Sequence, residues 1–222
     1  MSEDPAPRYR KDYAPLPYRI TSINLSVQVF AEFADVESTL IISRCAEIDS
    51  APLVLDGGGL SLREISVDGM PLKDSAYAVS EQTLTVHEPP AEFALRTVVR
   101  IDPYRNLALE GFYASGDMLC SQCEAEGFRR ITYFYDRPDA MTVFTTRLEA
   151  DRKTYPILLS NGNKVAAGEL PDNRHFVTWH DPFQKPCYLF AIVAGDLALV
   201  EDEFRTASGR DVDLHLYVNH GN

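Results

Sequence analysis

The sequence has no excess of basic residues, no long apolar run and few cysteines. Its 21 lysine and arginine residues are outnumbered by 33 aspartate and glutamate residues, which gives a formal net charge of -12. Such a chain repels phosphate backbones and anionic headgroups. It also lacks the run of about 18 apolar residues that a membrane-spanning helix requires. We therefore expect neither a nucleic-acid partner nor a membrane partner.

The N-terminus and the cysteines indicate a reducing compartment. The first residues, MSEDPAPRYRKDY, are polar and lack the apolar core of a secretory signal. Four cysteines in 222 residues are too few for a disulfide-stapled scaffold. They are Cys45, Cys120, Cys123 and Cys187. We expect a cytoplasmic location and reduced thiols.

The motifs of the common hydrolytic sites are also missing. A thermolysin-type zinc site needs H-E-x-x-H on a helix, so that both imidazoles face one metal and the glutamate activates water. That motif does not occur, nor does a G-x-S-x-G elbow or a glycine-rich phosphate loop. The histidines are scattered, at His87, His175, His180, His215 and His220. The sequence predicts no catalytic residue and no metal ligand in this chain.

The main pattern present is alternation of apolar and polar residues, which is typical of strands with one buried face. It occurs in residues 23–29, 93–101, 144–150 and 212–218. Residues 187–194, CYLFAIVA, are continuously apolar and predict a strand that is covered on both faces. No long helical period competes. The sequence therefore predicts an all-β fold of curved antiparallel sheets, arranged as a sandwich or an open sheet.

Turn signals separate these segments, and one irregular segment stands out. The pairs Asp68-Gly69, Asn161-Gly162 and Ser208-Gly209 tolerate the positive φ angles that tight hairpins require. Residues 108–138 show no sustained period, yet they contain many aromatic side chains, which argues against disorder. An ordered irregular segment of this length is usually functional. We therefore expect the chemistry of the chain to lie there.

The spacing Cys120-x-x-Cys123 is that of half a zinc ribbon or of a redox pair. No second C-x-x-C or H-x-x-x-H pair completes a zinc site, and Cys45 and Cys187 stand alone in strand-like segments. We expect two thiols packed in a loop, with metal binding or thiol chemistry as the alternative.

Acidic residues cluster in the same irregular segment. Glu124, Glu126, Asp136 and Asp139 could include a general acid and base, although clustered carboxylates are usually solvated.

The segment SGDMLCSQCEAEGFR, residues 115–129, resembles a stretch of the bacterial aminopeptidase N family, zinc metalloaminopeptidases of the gluzincin type. Further blocks resemble the N-terminal domain of that family, in family order. They are YRKDYAPLPY at 9–18, ITYFYDRP at 131–138, YPILLSNGN at 155–163 and DPFQKPCYLFAIVAGD at 181–196. Several ordered blocks make the resemblance specific.

The resemblance implies a saddle-shaped β-sandwich that precedes a catalytic domain, and it assigns roles to two residues. Gln122 and Glu124 match the glutamine and glutamate that bind the free α-amino group of a peptide substrate. The family's zinc site and catalytic residues belong to the next domain, and their motifs are absent here. The resemblance thus implies a zinc cofactor for the parent enzyme, none for this chain, and no activity for this chain alone.

The implied organisation is an N-terminal extended arm (1–18), the β domain (19–218) and the start of a linker to an absent catalytic domain (219–222). The expected partners are a peptide N-terminus, bound weakly or only together with the catalytic domain, and that domain itself. The expected function is substrate recognition and scaffolding in a zinc aminopeptidase that removes N-terminal residues from peptides. The alternative is a stand-alone β-sandwich that binds carbohydrate or protein on Tyr133, Tyr135 or Phe176.

Such a domain should leave surface uncovered. We expect an apolar patch and a free strand edge near the C-terminus, with a tendency to self-associate.

Overall fold

A computed structural model describes residues 9–46 and 48–221. Residues 1–8 of the predicted arm and residue 222 of the predicted linker lie outside the described residues. The proposed boundaries at residues 18 and 218 stay predictions.

The alternating segments form strands, and no α-helix occurs in the described part of the chain. The strands are β1 (Tyr18–Val29), β2 (Ala34–Arg44), β3 (Leu53–Asp56), β4 (Ser61–Val67), β5 (Met70–Pro71), β6 (Tyr77–Val79), β7 (Thr83–Val86), β8 (Glu92–Ile101), β9 (Gly111–Ser115), β10 (Met118–Gln122), β11 (Thr142–Asp151), β12 (Ile157–Ser160), β13 (Asn163–Leu170), β14 (Arg174–Lys185), β15 (Ile192–Gly195), β16 (Ala198–Arg205) and β17 (Asp211–Val218). Short 3-10 turns occur at Arg10–Asp12, Asp74–Ala76, Phe128–Arg130 and Cys187–Leu189. The predicted all-β class is confirmed.

The largest sheet has eight strands in the order β13-β14-β11-β1-β2-β8-β4-β5. Its central strands alternate buried and partly exposed residues, as the sequence pattern predicts. One pair departs from the antiparallel expectation, because β1 and β11 run parallel, with Ile23 opposite Phe144. A parallel neighbour requires a long crossover, and residues 30–141 provide it. That crossover contains the irregular segment.

Three smaller sheets complete the fold. One has the order β12-β15-β10-β9, the second has the order β3-β7-β6, and the third is the two-stranded sheet β16-β17. Two predictions for this region are wrong in part. Residues 187–194 form a 3-10 turn followed by the short central strand β15, because the N–H groups of Leu189 and Phe190 donate to Pro186 and Cys187 within the turn and not to a neighbouring strand. Asn161-Gly162 connects strands of two different sheets and does not close a hairpin.

The irregular segment is more regular than predicted at its start. Residues 111–122 form the β9–β10 hairpin, in which Gly111 pairs with Gln122. Residues 123–141 then cross between the sheets. Thr132 donates to Ser38 of β2 at 3.1 Å, and Phe134 forms an antiparallel bridge with Asp56 of β3. The large sheet and a small sheet therefore both fix this segment. No helix in the described residues is long and apolar enough to cross a membrane.

Candidate functional site

The predicted site residues Gln122 and Glu124 lie together at the end of β10. The β9–β10 ladder fixes Gln122, its last residue, and the next residue, Cys123, is only 2% exposed. The side chains of Gln122 and Glu124 are exposed on either side of this buried thiol. The Gln122 amide nitrogen donates to the backbone oxygen of Glu124 at 3.2 Å, and the Glu124–Ala125 peptide bond is cis. The structure thus presents a carboxylate and an amide on one short turn.

A glycine closes this turn because a side chain would not fit. The Gly127 N–H donates to the Cys123 oxygen at 2.8 Å. A Cβ added to Gly127 would lie 2.4 Å from the Gln122 oxygen and 3.0 Å from the Gly111 nitrogen. Those are backbone atoms, which cannot move aside as a flexible side chain can. The fit therefore ties the turn to both strands of the hairpin.

Phe128 anchors the turn to the core. It is fully buried, and its ring packs edge-on against Phe134, Phe144 and Phe190 at centroid distances of 5.2, 5.8 and 5.1 Å. Edge-to-face packing of this kind is the preferred geometry of aromatic pairs. Since Phe144 lies on β11, the large sheet fixes the position of the turn.

A partly buried ion pair lies beside Phe128. The Nε of Arg129 donates to Oδ2 of Asp136 at 2.9 Å, and the Arg129 backbone N–H donates to the same oxygen at 3.0 Å. The Arg129 guanidinium also lies 3.1 Å from Glu126 and 3.9 Å from Asp56. Burial opposes the charge of Arg129, but the Asp136 hydrogen bond and the nearby carboxylates outweigh it and raise its pKa. Arg129 is therefore a permanent cation.

Asp136 has hydrogen-bond partners besides Arg129. Its carboxylate also accepts from the Cys187 thiol at 3.1 Å, and its backbone N–H donates to Asp56 at 3.0 Å. Sequence reasoning considered Asp136 only as a possible acid or base and did not single out Arg129. The available signal was an aromatic-rich run, residues 131–135, with arginine on one side and aspartate on the other, where a buried charge must be paired.

The acid–base hypothesis finds no support in these positions. Asp136 is buried against Arg129, so it is not available to a substrate. Asp139 forms a bidentate pair with Arg137. Burial alone would raise the pKa of Asp139, but hydrogen bonds from Arg137 and Tyr13 lower it. A carboxylate with a lowered pKa is a poor proton carrier near neutral pH.

Of the two thiols expected to pack in a loop, Cys123 is buried just after β10, whereas Cys120 lies on β10 itself and is partly exposed. Cys45, Cys120, Cys123 and Cys187 are free. Burial, with the charge of Asp136, raises the pKa of Cys123 to about 12, and the same causes raise the pKa of Cys187. The thiolate is the reactive form, so neither residue is prepared for nucleophilic or redox chemistry.

The described residues contain no group of three or more histidine, cysteine or acidic side chains that could hold a metal ion. His175 bonds to the Tyr155 oxygen at 2.8 Å, and His180 bonds to Thr145 at 2.9 Å. Both histidines, which lie on β14, make hydrogen bonds within the fold, and the residues present do not fit a zinc site.

The proposed aromatic platform is wrong for two of its three residues. Tyr133 and Tyr135 are 2% and 4% exposed. Phe176 is partly exposed, but the Arg147 guanidinium covers its ring at 3.5 Å. The irregular segment buries its aromatic side chains because it lies between sheets, which the sequence pattern did not indicate.

The chain is similar to proteins of one peptidase family. A family model described as the peptidase M1 N-terminal domain matches residues 14–189. Aminopeptidase N of Escherichia coli strain K12 is 48% identical over 222 residues, which are 100% of this chain and 25% of that protein. Aminopeptidase N of Caulobacter vibrioides is 49% identical over 210 residues, 95% of this chain and 24% of that protein.

Solved structures agree. Legionella pneumophila aminopeptidase A, crystallised with aspartic acid, matches with a TM-score of 0.90 and 31% identity, covering 95% of this chain and 25% of that one. An M1 zinc metallopeptidase from Deinococcus radiodurans shares the fold, with a TM-score of 0.74 at 16% identity over 92% of this chain and 48% of that one. The chain thus spans about a quarter of the length of its curated relatives. Through this match it belongs to the peptidase M1 family, whose N-terminal domain it represents.

Proposed function

We propose that this domain recognises the free α-amino group of a peptide substrate for an M1 aminopeptidase and serves as scaffold for its catalytic domain. The observation that carries the proposal is the exposed Glu124 carboxylate on a turn that buried residues fix on both sides. Glu124 supplies the negative charge, and Gln122 lines the site and orients the amine.

The chemistry suits a protonated amine. A carboxylate forms a strong charge-assisted hydrogen bond with a compact cation when water is excluded. Fixing the amine also fixes which peptide bond reaches the catalytic groups, so the enzyme would remove one residue at a time. In the isolated chain Glu124 faces solvent, where an ion pair is worth only about 0–1 kcal/mol. Useful affinity therefore requires a second surface that closes over the turn.

The C-terminal hairpin supports a missing covering domain. In the β16–β17 ladder, Val200 lies opposite Leu216 and Phe204 opposite Val212, which places these apolar side chains on one face. Val200, Phe204 and Leu216 are 54%, 56% and 53% exposed. The other face is polar, with Glu201 opposite His215. An amphipathic hairpin with a solvent-exposed apolar face fits the predicted apolar patch near the C-terminus.

The zinc of such an enzyme would be held by residues outside this chain, since those described do not form a metal site. The proposal therefore predicts no peptidase activity for the 222 residues alone. The alternative of a carbohydrate-binding module is not favoured, because its proposed aromatic residues are buried or covered. The cytoplasmic location stays a prediction, which cell fractionation tests.

The test joins these 222 residues to the rest of E. coli aminopeptidase N, in place of the matching quarter of that protein. We expect the joined enzyme to hydrolyse aminoacyl p-nitroanilides. Glu124→Ala should lower kcat/KM by about 30-fold or more, since losing one buried charge-assisted contact costs about 2–5 kcal/mol.

Asp117→Asn is the matched control, because Asp117 is exposed at the opposite end of the β9–β10 hairpin. It should leave kcat/KM within about twofold. Equal activity of Glu124→Ala and the unsubstituted enzyme would contradict the recognition role. Robust, chelator-sensitive turnover by the isolated chain would contradict the claim that it is catalytically incomplete.

A further inference from the structure

We propose that Arg129 is a positioning residue, which sets the location of the Glu124 carboxylate through Glu126 and the backbone of the turn. The inference rests on the proposed function of Glu124 and extends it to an ion pair that does not touch substrate. Its basis is the way in which one guanidinium contacts both the core and the turn.

On the core side, the contact is rigid. Asp136 has a side chain only 1% exposed, and it accepts both the Nε and the backbone N–H of Arg129. The Arg129 backbone oxygen accepts from Gly58, which follows β3. Arg129 therefore has its backbone and its side chain fixed by separate parts of the fold.

On the turn side, the same guanidinium lies 3.1 Å from Glu126, two residues beyond Glu124. Cys123 on the other side of Glu124 is buried, and its oxygen accepts from Gly127. The turn residues 124–126 are exposed, so contacts at their two ends restrict them. Among the contacts of the described residues, the Arg129–Glu126 pair joins a side chain of the turn to the buried network.

Only arginine can make these contacts together. Nε binds Asp136, while Nη2 binds the Asp136 backbone oxygen at 3.4 Å and lies near Glu126. A guanidinium presents these donors in a fixed fork, whereas lysine has a single nitrogen. Arg129→Lys therefore keeps the charge beside Asp136 and loses the simultaneous contact with the turn.

The neighbouring residue is a natural control. Arg130 belongs to the same 3-10 turn and pairs with Glu110 at 3.0 Å, but both side chains of that pair are exposed, at 39% and 53%. Exposed pairs contribute little. Arg130→Lys is thus the same chemical change, one residue away, without a link to buried Asp136.

The test is a double-mutant cycle in the joined enzyme described above. Arg129→Lys should lower kcat/KM by about tenfold, mainly through a higher KM, because the misplaced carboxylate binds the amine less well. In the Glu124→Ala background the same substitution should cost less than about twofold. Arg130→Lys should cost less than about twofold in both backgrounds.

The outcomes separate the two claims. Equal losses from Arg129→Lys with and without Glu124 would overturn the positioning role and leave the proposed function intact. If Glu124→Ala alone has no effect, both are overturned. If Arg129→Lys does not fold, Glu126→Ala replaces it, since this change removes the acceptor on the turn side of Arg129 and leaves the pair with Asp136. It should show the same dependence on Glu124, and an equal loss in both backgrounds would overturn the role.

Discussion

The turn that carries Glu124 and the β16–β17 hairpin are opposite kinds of structure. The turn is exposed only at its tip, and Cys123, Phe128, Arg129 and Asp136 fix it to the core and to two sheets. Within the described ranges 9–46 and 48–221, the two strands of the hairpin pair with each other and with no further strand, and they expose one apolar face. The first region has its final geometry within this chain. The second leaves one apolar face in solvent, so the two regions differ in how much of their apolar surface the chain itself buries.

The sharpest way to test this contrast is to truncate one phenylalanine in each region. Phe128→Ala removes the centre of the aromatic cluster and should lower the free energy of unfolding by about 3–5 kcal/mol, because large-to-small changes in a core leave a cavity. Phe204→Ala, at a ring 56% exposed on the hairpin, should change it by about 0.5 kcal/mol or less.

Urea unfolding of the 222-residue chain measures both changes. A comparable loss for the two variants would remove the distinction between the regions.

The hairpin should govern self-association. Leu216→Glu places a charge on the apolar face, and we expect it to weaken self-association by about tenfold or more, since burying a leucine is worth about 1.5–3 kcal/mol. His215→Glu places the same residue on the polar face and should have little effect.

Sedimentation velocity over a concentration series measures the difference. Monomeric behaviour of the unsubstituted chain at high concentration would contradict the account of this face.

The buried thiols allow the anchored region to be probed by pH. Because burial raises the pKa of Cys123 from 9.0 to about 12, the folded state retains this proton when the unfolded chain has lost it. The stabilisation is complete below pH 9 and is lost as pH rises towards 12. The loss should be about 1.4 kcal/mol per pH unit for this thiol.

Urea midpoints at pH 8 and pH 10 test this, with Cys123→Ala as the comparison. The variant should lose less stability between the two pH values than the unsubstituted chain. If the variant and the unsubstituted chain lose the same stability between pH 8 and pH 10, Cys123 is not the thiol that ionises on unfolding.

The strands of the large sheet could be predicted because one buried face imposes alternation on β1, β8 and β11. The parallel pairing of β1 with β11 could not be predicted in this way. Alternation shows which side chains face the core, but it does not show which strand lies beside which in the sheet. The β9–β10 hairpin was missed because Gly111 and Gly116 interrupt its pattern, and both have positive φ angles.

The site was predicted unevenly for a similar reason. Gln122 and Glu124 were identified through a motif that resembles a family, and the structure brings them onto one turn. The turn that carries them is held by the pair of Arg129 with Asp136, two residues that lie seven positions apart in the sequence. Both belong to an irregular segment, where no periodic pattern predicts which side chains are in contact. The same segment buries Tyr133 and Tyr135 between sheets, whereas a binding platform would require both rings to be exposed.

The most direct test of the central claim compares two inhibitors of the joined enzyme, phenylalaninol and its analogue without the amino group, 3-phenylpropan-1-ol, neither of which has an amide bond to hydrolyse. We predict that the unsubstituted enzyme binds the amine about 100-fold more tightly, and that Glu124→Gln reduces this preference to about tenfold or less. An unchanged preference in Glu124→Gln would show that the amine is recognised elsewhere and would contradict the role assigned to this domain.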